Sequence, residues 1–427
     1  MRTDMLKIIL INPPSPYLAN DAAYPPSGLL YLASVMEKAG QDVSLVDLTG
    51  NPDWRSVVRG LDADLFGITC VTPNVPLVRE ISYLLPSDRP VVLGGAHPSF
   101  LPEDTLKQVR CDAIVKGEGE EVIETVLNDL KKGNLKKIYE GGVVRVKAIP
   151  KPSRHLVDLH RYTPGGEKTT PIYTSRGCPF KCSFCSKISG KTYRILPLER
   201  VLSEIEDVMN HGFSHILLSD DNILVQPERF RTLMKAIKPF GLRFRLNQDA
   251  RAIDGKIMRL AREAGCCEIS FGIETGSQKM LNLMNKQTTV EANRKAILAA
   301  KENGIKTKAY FIVNFPGEDD FTVEETLEFA RQVKPDKWLL SSFAPLPGSD
   351  TFQNPMKYGI TWVSPRWEDY YLVGKEGKFS PCFTTKDLSF ERQFDLHQKM
   401  FRSLQEILGP IPVLTPSRSN VPCHQRS

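Results

Sequence analysis

Short apolar runs recur along the first third of the chain, at 6–11, 43–46, 65–70, 91–93 and 113–115. Each is too short and too uniformly apolar for a surface helix, and each reads as a strand buried on both faces. Between them the apolar positions take helical spacing. The clearest helix spans 28–39 and is stopped by Gly40; another, 120–131, follows the last run. Strands alternating with helices predict a doubly wound, Rossmann-like parallel sheet in an α/β chain, with ligands at the carboxyl ends of its strands.

A second alternation starts at Pro171. Gly212, Gly241, Gly265 and Gly304 each close a helical stretch, and strands follow at 215–219, 243–246, 268–272 and 307–313. With 172–174 before them and 337–343 after, six βα-type units are expected. A closed barrel needs eight, so the pattern predicts a partial (β/α)6 barrel with its site at the strand ends. The intervening segment, 132–170, carries charge, glycine and proline and reads as a linker, with a hairpin around Gly141-Gly142. Residues 351–409 are aromatic, then helical, and are expected to cover the barrel mouth; 410–427 read as a polar tail. The expected division is 1–131, 132–170, 171–350 and 351–427.

Composition narrows the function. With 41% hydrophobic and 25% charged residues over 427 positions, the chain is not a disordered one. No window approaches about 18 uninterrupted apolar residues, so no membrane span is expected. The first apolar run is too short for a signal peptide, and a cytoplasmic location is expected. The net charge of +6 is spread thinly rather than gathered in a stripe, which argues against nucleic acid as a partner.

Nine cysteines, an odd number, do not suggest a disulfide framework. Six are scattered, and Cys266 and Cys267 open a buried strand and read as core. Cys178, Cys182 and Cys185 follow the strand at 172–174 with the spacing C-x-x-x-C-x-x-C. Three thiolates on one tight loop can hold three corners of a cubane cluster and leave the fourth iron open to a substrate. Structural zinc would want a fourth protein ligand, and the next histidine is His211. In the first half the strand ends carry Asn12-Pro13-Pro14, Tyr24-Pro25-Pro26-Ser27-Gly28, Thr69-Cys70-Val71-Thr72-Pro73-Asn74, Gly94-Gly95-Ala96-His97-Pro98 and Gly117-Glu118-Gly119-Glu120. Their glycines let backbone approach a large ligand. Neither a dinucleotide fingerprint nor a P-loop is present.

These loops, at 25–33 with Gly40, at 94–98 and at 117–120, resemble the cobalamin-binding domain of many radical S-adenosylmethionine (SAM) enzymes. The resemblance implies corrin contacts from Tyr24, Pro25, Thr69, Val71, Thr72, Asn74, Gly94, Gly95, His97, Gly117, Glu118 and Gly119. The D-x-H-x-x-G signature is absent after the first strand, so no histidine from that loop would replace the lower axial ligand, and His97 is expected to shape its loop. The cysteine trio, with Phe184 before its last member, resembles the radical SAM signature. Segments at 218–222, 272–277, 315–318 and 345–349 match in order. This implies a 4Fe-4S cluster on Cys178, Cys182 and Cys185, with SAM contacts from Phe184, Asp220, Asp221, Arg251, Glu274, Asn314 and Gly317. Asp220, Asp221 and Glu274 have a second reading as helix caps.

Such a chain is similar to cobalamin-dependent radical SAM methyltransferases of class B. The resemblance implies C-methylation of an unactivated carbon through a 5′-deoxyadenosyl radical and methylcobalamin, with two SAM consumed per turnover. No side-chain base is required, and no catalytic side chain is singled out. The small region after 350 is compatible with a peptide or protein residue as substrate, as in enzymes that methylate a glutamine carbon of methyl-coenzyme M reductase. The alternatives are a small natural-product or lipid precursor, an oxidative cyclase or rearrangement enzyme with the same parts, and a sensor that no longer turns over. A one-electron reductant of flavodoxin or ferredoxin type is the expected partner.

Overall fold

The computed structural model describes residues 5–18, 20–162, 169–374 and 378–410. Its first sheet has strands β1 (Lys7–Asn12), β2 (Asp42–Asp47), β3 (Leu65–Thr69), β4 (Val91–Gly94), β5 (Ala113–Gly117) and β6 (Ile138–Gly142). The order is β2-β1-β3-β4-β5-β6, and every neighbour pair is parallel. The strands are apolar on both faces because both faces are covered. Ile9, Ile11 and Phe66 enter one core; Ile8, Leu10 and Leu65 enter the other. The chain winds outward in opposite directions from β1 and β3, which opens a crevice at their carboxyl ends.

The sixth strand corrects the hairpin expected at Gly141-Gly142. Residues 138–142 run parallel to β5, with Ile114 opposite Ile138 and Val115 opposite Tyr139. An edge strand needs little apolar sequence, and this one has only Ile138 and Tyr139 to offer. It lies tight against the loop after β5: a Cβ on Gly141 would sit 2.0 Å from the carbonyl oxygen of Glu118.

The second sheet begins with β7 (Thr170–Ile172), two residues earlier than expected. A short antiparallel pair follows, β8 (Ser175–Arg176) with β9 (Arg194–Ile195). The remaining strands are β10 (His215–Leu218), β11 (Arg243–Gln248), β12 (Cys266–Glu274), β13 (Lys306–Val313) and β14 (Lys337–Ser342). The parallel order β14-β13-β12-β11-β10-β7 leaves β7 and β14 unpaired with each other, so the barrel is partial and open. Gly265 shows why glycine punctuates these units. Its φ is +106°, and a Cβ there would lie 2.1 Å from the Leu242 carbonyl oxygen. The outer face of the sheet packs Phe244, Ile269, Phe271 and Phe311 against the surrounding helices.

The region after 350 splits in two. A small antiparallel pair, β15 (Ile360–Val363) with β16 (Phe383–Thr385), joins an aromatic cluster with Phe315 and Phe343 near the ends of β13 and β14. The helix Phe390–Leu408 instead packs outside the barrel, on the helix Asp320–Val333 and on β13 and β14. Only the aromatic part therefore covers the strand ends. Pro164-Gly165-Gly166, the tail beyond 410 and Cys423 lie outside the described residues. No described helix is long and apolar enough to cross a membrane.

The close fit of β6 gives a stability test. Gly141→Ala forces backbone apart and is expected to cost about 1–3 kcal/mol, read as a lower unfolding midpoint in urea. Gly255→Ala, whose Cβ would meet nothing within 4 Å, is expected to leave the midpoint unchanged or raise it. Equal midpoints for the two variants would show that β6 does not bear on the fold.

Candidate functional site

The cysteine loop leaves β8 through Gly177, whose φ is +83° and whose Cβ would lie 2.2 Å from the Thr192 carbonyl oxygen. The β8–β9 pair therefore closes the loop at its neck. Cys178 is buried, and Cys182 and Cys185 are half-buried. Inside the loop, Lys187 Nζ donates to the carbonyls of Cys178 (3.2 Å) and Phe180 (2.6 Å). On the far side the Ser183 amide donates to the Met284 carbonyl and the Thr351 amide to the Ser183 carbonyl, at 2.9 and 3.1 Å. Burial pushes the Cys182 thiol up, and Cys185 to about 11, against nearby lysines. Loading metal there releases protons. Among the described residues no three His, Cys, Asp or Glu side chains gather around a single-ion position. His211 is not beside the trio; its Nδ1 lies 2.8 Å from the Asp207 carbonyl oxygen.

Asp220 and Asp221 hold the root of this loop. Asp220 accepts from the Thr174 amide (2.6 Å), the Thr174 hydroxyl (2.6 Å) and the Ser175 hydroxyl (2.5 Å). It is 3% exposed, so its carboxylate is spent on β7 and β8 rather than offered to a ligand. Asp221 accepts from the Gly177 amide at 2.8 Å and also lines a cavity described below.

The other expected SAM contacts form two groups. Glu274 stands at a bulge where β12 ends, with φ +66°, and its carboxylate meets Lys286. Lys286 lies 5.9 Å over the Phe184 ring and interacts electrostatically with Cys182. Arg251 pairs with Asp249 at 2.8 Å and stacks its guanidinium 3.2 Å over Phe180. The second group lies at the end of β13. Asn314, φ +69°, donates from Nδ2 to the Ser342 hydroxyl at 3.1 Å, and its amide donates to Glu318. Gly317, φ +91°, sits between them in sequence. Asn314 Oδ1, Glu318 Oε1 and Arg251 Nη1 are buried without a partner. Orphaned polar atoms at strand ends are what a zwitterionic, nucleoside-bearing ligand would satisfy. Burial holds the Glu318 carboxyl protonated up to about pH 8.

A cavity of about 300 Å³ lies between the first sheet and the root of the cysteine loop. Its floor is apolar, from Leu10, Leu65, Val92 and Val115; Tyr173, Ser175 and Arg176 close it from the barrel side. Gly67, inside β3, leaves room beside Leu10, where a Cβ would come within 2.7 Å of Leu10 Cδ2. Thr69, Gly94, Gly95, Gly117, Glu118 and Gly119 line the cavity. An apolar pocket with glycine edges and a polar rim suits part of a broad planar cofactor such as a corrin.

The remaining expected corrin contacts lie elsewhere. Tyr24 and Pro25 line a separate chamber inside the barrel. Val71 is exposed, and Asn74 is buried against Ser15, donating to its hydroxyl at 3.1 Å. His97 is fully buried, 3.4 Å from the Thr72 hydroxyl and 3.6 Å from Asp104, with its ring edge-on to Trp367 at 4.9 Å. Burial lowers its pKa to about 4, so it is neutral near pH 7. It braces the aromatic region against the first sheet and does not face the cavity. Glu118 has a second task as well. It pairs with Arg176 (3.1 Å) and Arg194 (2.6 Å), while Glu120 pairs with Arg176 at 2.7 Å.

Comparison with known proteins agrees with this geometry. The radical SAM superfamily profile matches residues 172–330, and the B12 binding domain profile matches residues 21–127. An uncharacterized methyltransferase of Pyrococcus horikoshii is 30% identical over 418 residues, covering 90% of each chain. The anaerobic magnesium-protoporphyrin IX monomethyl ester cyclase of Rubrivivax gelatinosus is 32% identical over 370 residues, covering 77% of this chain and 66% of its own. Among solved structures, the radical SAM methyltransferase TsrM of Kitasatospora setae, with cobalamin and a [4Fe-4S] cluster bound, aligns with a TM-score of 0.72. That alignment has 17% identity and covers 98% of this chain and 92% of TsrM, a likeness of fold.

Two outcomes are expected from the loop root and from Glu318. Asp220→Ala leaves three buried donors without their acceptor, at about 1–3 kcal/mol each. Iron and sulfide per chain should fall after reconstitution, with partial rescue in Asp220→Asn; an unchanged iron load would show that the loop holds itself. The folded pKa of Glu318 is raised from 4.5 to about 8. The stability it lends is therefore complete below about pH 4.5 and is lost as pH climbs to about 8, by up to about 1.4 kcal/mol per unit. Glu318→Gln removes that slope, so the variant should gain on the parent between pH 5 and 8 in urea titrations. Parallel stability curves would mean that Glu318 ionises normally in the fold.

Proposed function

Because the chain belongs to the radical SAM superfamily and carries a B12-binding domain, we propose that it is a C-methyltransferase acting on an unactivated carbon. One observation carries the reading: Ser175, Arg176 and Asp221, at the root of the cysteine loop, are also walls of the apolar cavity in the first domain. A site for a corrin and a site for a cluster therefore share a partition. Cys178, Cys182 and Cys185 would hold three irons of a 4Fe-4S cluster, leaving one for SAM. When bound, these groups supply a 5′-deoxyadenosyl radical and a methyl carrier.

The chain's own residues bind, orient and exclude water. Lys286 balances the charge of Glu274 beside Cys182. Arg251, Asn314 and Glu318 offer polar atoms to SAM, and Gly317 brings its backbone close. Asp220 acts as a positioning residue through Thr174 and Ser175. Phe315, Phe343 and Phe383 pack edge-on near the ends of β13 and β14 and would keep water from a radical formed there. His97 is held neutral against Trp367 and Asp104 and would shape the loop after β4. The substrate is a peptide or protein residue, or a precursor of similar size, entering a chamber of about 310 Å³ inside the barrel.

The test is anaerobic turnover of the reconstituted protein with cobalamin, SAM and a one-electron reductant. S-adenosylhomocysteine and 5′-deoxyadenosine are expected together, and Cys182→Ala should lose the 5′-deoxyadenosine. 5′-Deoxyadenosine alone would replace methyl transfer by oxidative cyclisation; the Rubrivivax relative is named as a cyclase. Formation of neither product would overturn both readings.

A further inference from the structure

We propose that the chamber inside the partial barrel holds an anionic group of the substrate, a carboxylate or a phosphate, on Lys308 with Arg245 beside it. This rests on the reading that the barrel interior receives the substrate.

Barrel interiors are usually filled by branched apolar side chains. Here the inner positions of β11, β12 and β13 carry Arg245, Glu268, Lys308 and Tyr310 around a space of about 310 Å³. Among the described residues lining it, Glu268 is the one carboxylate, and Lys337 takes it at 2.6 Å. Lys308 has no carboxylate within ion-pair distance among the described residues, and its ammonium rests 4.9 Å over the Tyr310 ring. Arg245 Nη2 is 3.5 Å from the Tyr24 hydroxyl, which the first domain contributes. Burial pushes the Lys308 pKa down against the opposing pull of the Glu268 carboxylate, and Lys337 and Arg245 add like charge nearby. A half-buried ammonium facing a polar chamber is stabilised by an anion that enters it.

The position of Lys308 also sets the direction of binding. It lies five residues before Val313, the last residue of β13. At about 3.3 Å per residue, that places its Cα about 16 Å below the end of the strand. The anion would mark one end of an extended substrate, and the reacting carbon would lie toward the other, near the cysteine loop. The chamber shares Ser27, Gly28 and Tyr173 with the apolar cavity, so such a substrate stays beside both sites.

The experiment is calorimetric binding of phosphate and of succinate to the full chain loaded with cluster and cobalamin, under saturating S-adenosylhomocysteine. With both cofactor sites filled, neither the corrin's own phosphate nor the SAM carboxylate site is being measured. At least one anion is expected to bind, about tenfold more weakly to Lys308→Met and within about threefold of the parent in Lys308→Arg. The tighter of the two probes assigns phosphate or carboxylate. Urea midpoints confirm that each variant is folded, and Arg245→Gln should weaken binding independently. Equal binding by the parent and Lys308→Met, equal binding of neutral succinamide, or no binding of either anion would overturn the proposal. Binding is read without turnover. Its failure leaves product formation untouched, and absence of S-adenosylhomocysteine in the turnover assay leaves the anion site standing.

Discussion

The ion-pair knot of Glu118 and Glu120 with Arg176 and Arg194 fixes how the two sheets face each other. Glu118 sits at the carboxyl end of β5 and also accepts from the Val144 amide. Arg176 is the last residue before the neck of the cysteine loop, and Arg194 lies on its antiparallel partner. One buried carboxylate thus joins the ligand end of the first sheet to the base of the cluster loop. A second latch repeats the idea one layer deeper. Glu204, fully buried, meets Arg154 at 2.5 Å, is bonded to Arg200, and accepts from the Tyr31 hydroxyl of the first domain at 3.4 Å. Buried pairs of this kind add little net stability, but removing one partner costs about 3–5 kcal/mol. Their effect is orientation: any rotation of the sheets strands a charge.

That constraint explains the crowding at the loop root. The segment 174–177 must satisfy the first domain through Arg176, the barrel through Asp220 and Asp221, and its own turn through Gly177. Asp220 is therefore spent on architecture, although its position suggested ligand contact, while Asp221 holds Gly177 and also lines the cavity. Lys286 and the partnerless atoms of Asn314, Glu318 and Arg251 stand where a polar ligand could use them.

Much of this was legible in the sequence because the signals are local. Buried parallel strands are apolar throughout, helix-closing glycines recur at a fixed place in each unit, and three cysteines within eight residues have few alternative uses. What was not legible depends on long-range packing. β6 carries too few apolar residues to look like a strand, because an edge strand buries one side only. Lys286 sits between Asn285 and Gln287 and reads as surface, and only the placement of the helix Gln278–Leu283 buries it against Glu274. Gly67 left a readable trace, a lone glycine within an apolar run, which often marks a place where something approaches the strand closely. His97 carried a chemically attractive side chain in a ligand-end loop, yet its neighbours across the fold, Trp367 and Asp104, turn it into a brace.

The two chambers differ in what they ask of a ligand. The cavity of the first domain is apolar and edged by backbone, so it recognises shape and area. The barrel chamber is polar and charged, so it recognises functional groups. They share Ser27, Gly28 and Tyr173 in their walls. Gly28 is informative there. It lies in the first turn of the helix Ser27–Lys38, where most residues are tolerated, and a Cβ on it would touch nothing within 4 Å. Neither backbone conformation nor packing demands glycine at that point. The tight ion pairs hold the sheets in the one orientation in which both chambers share that wall.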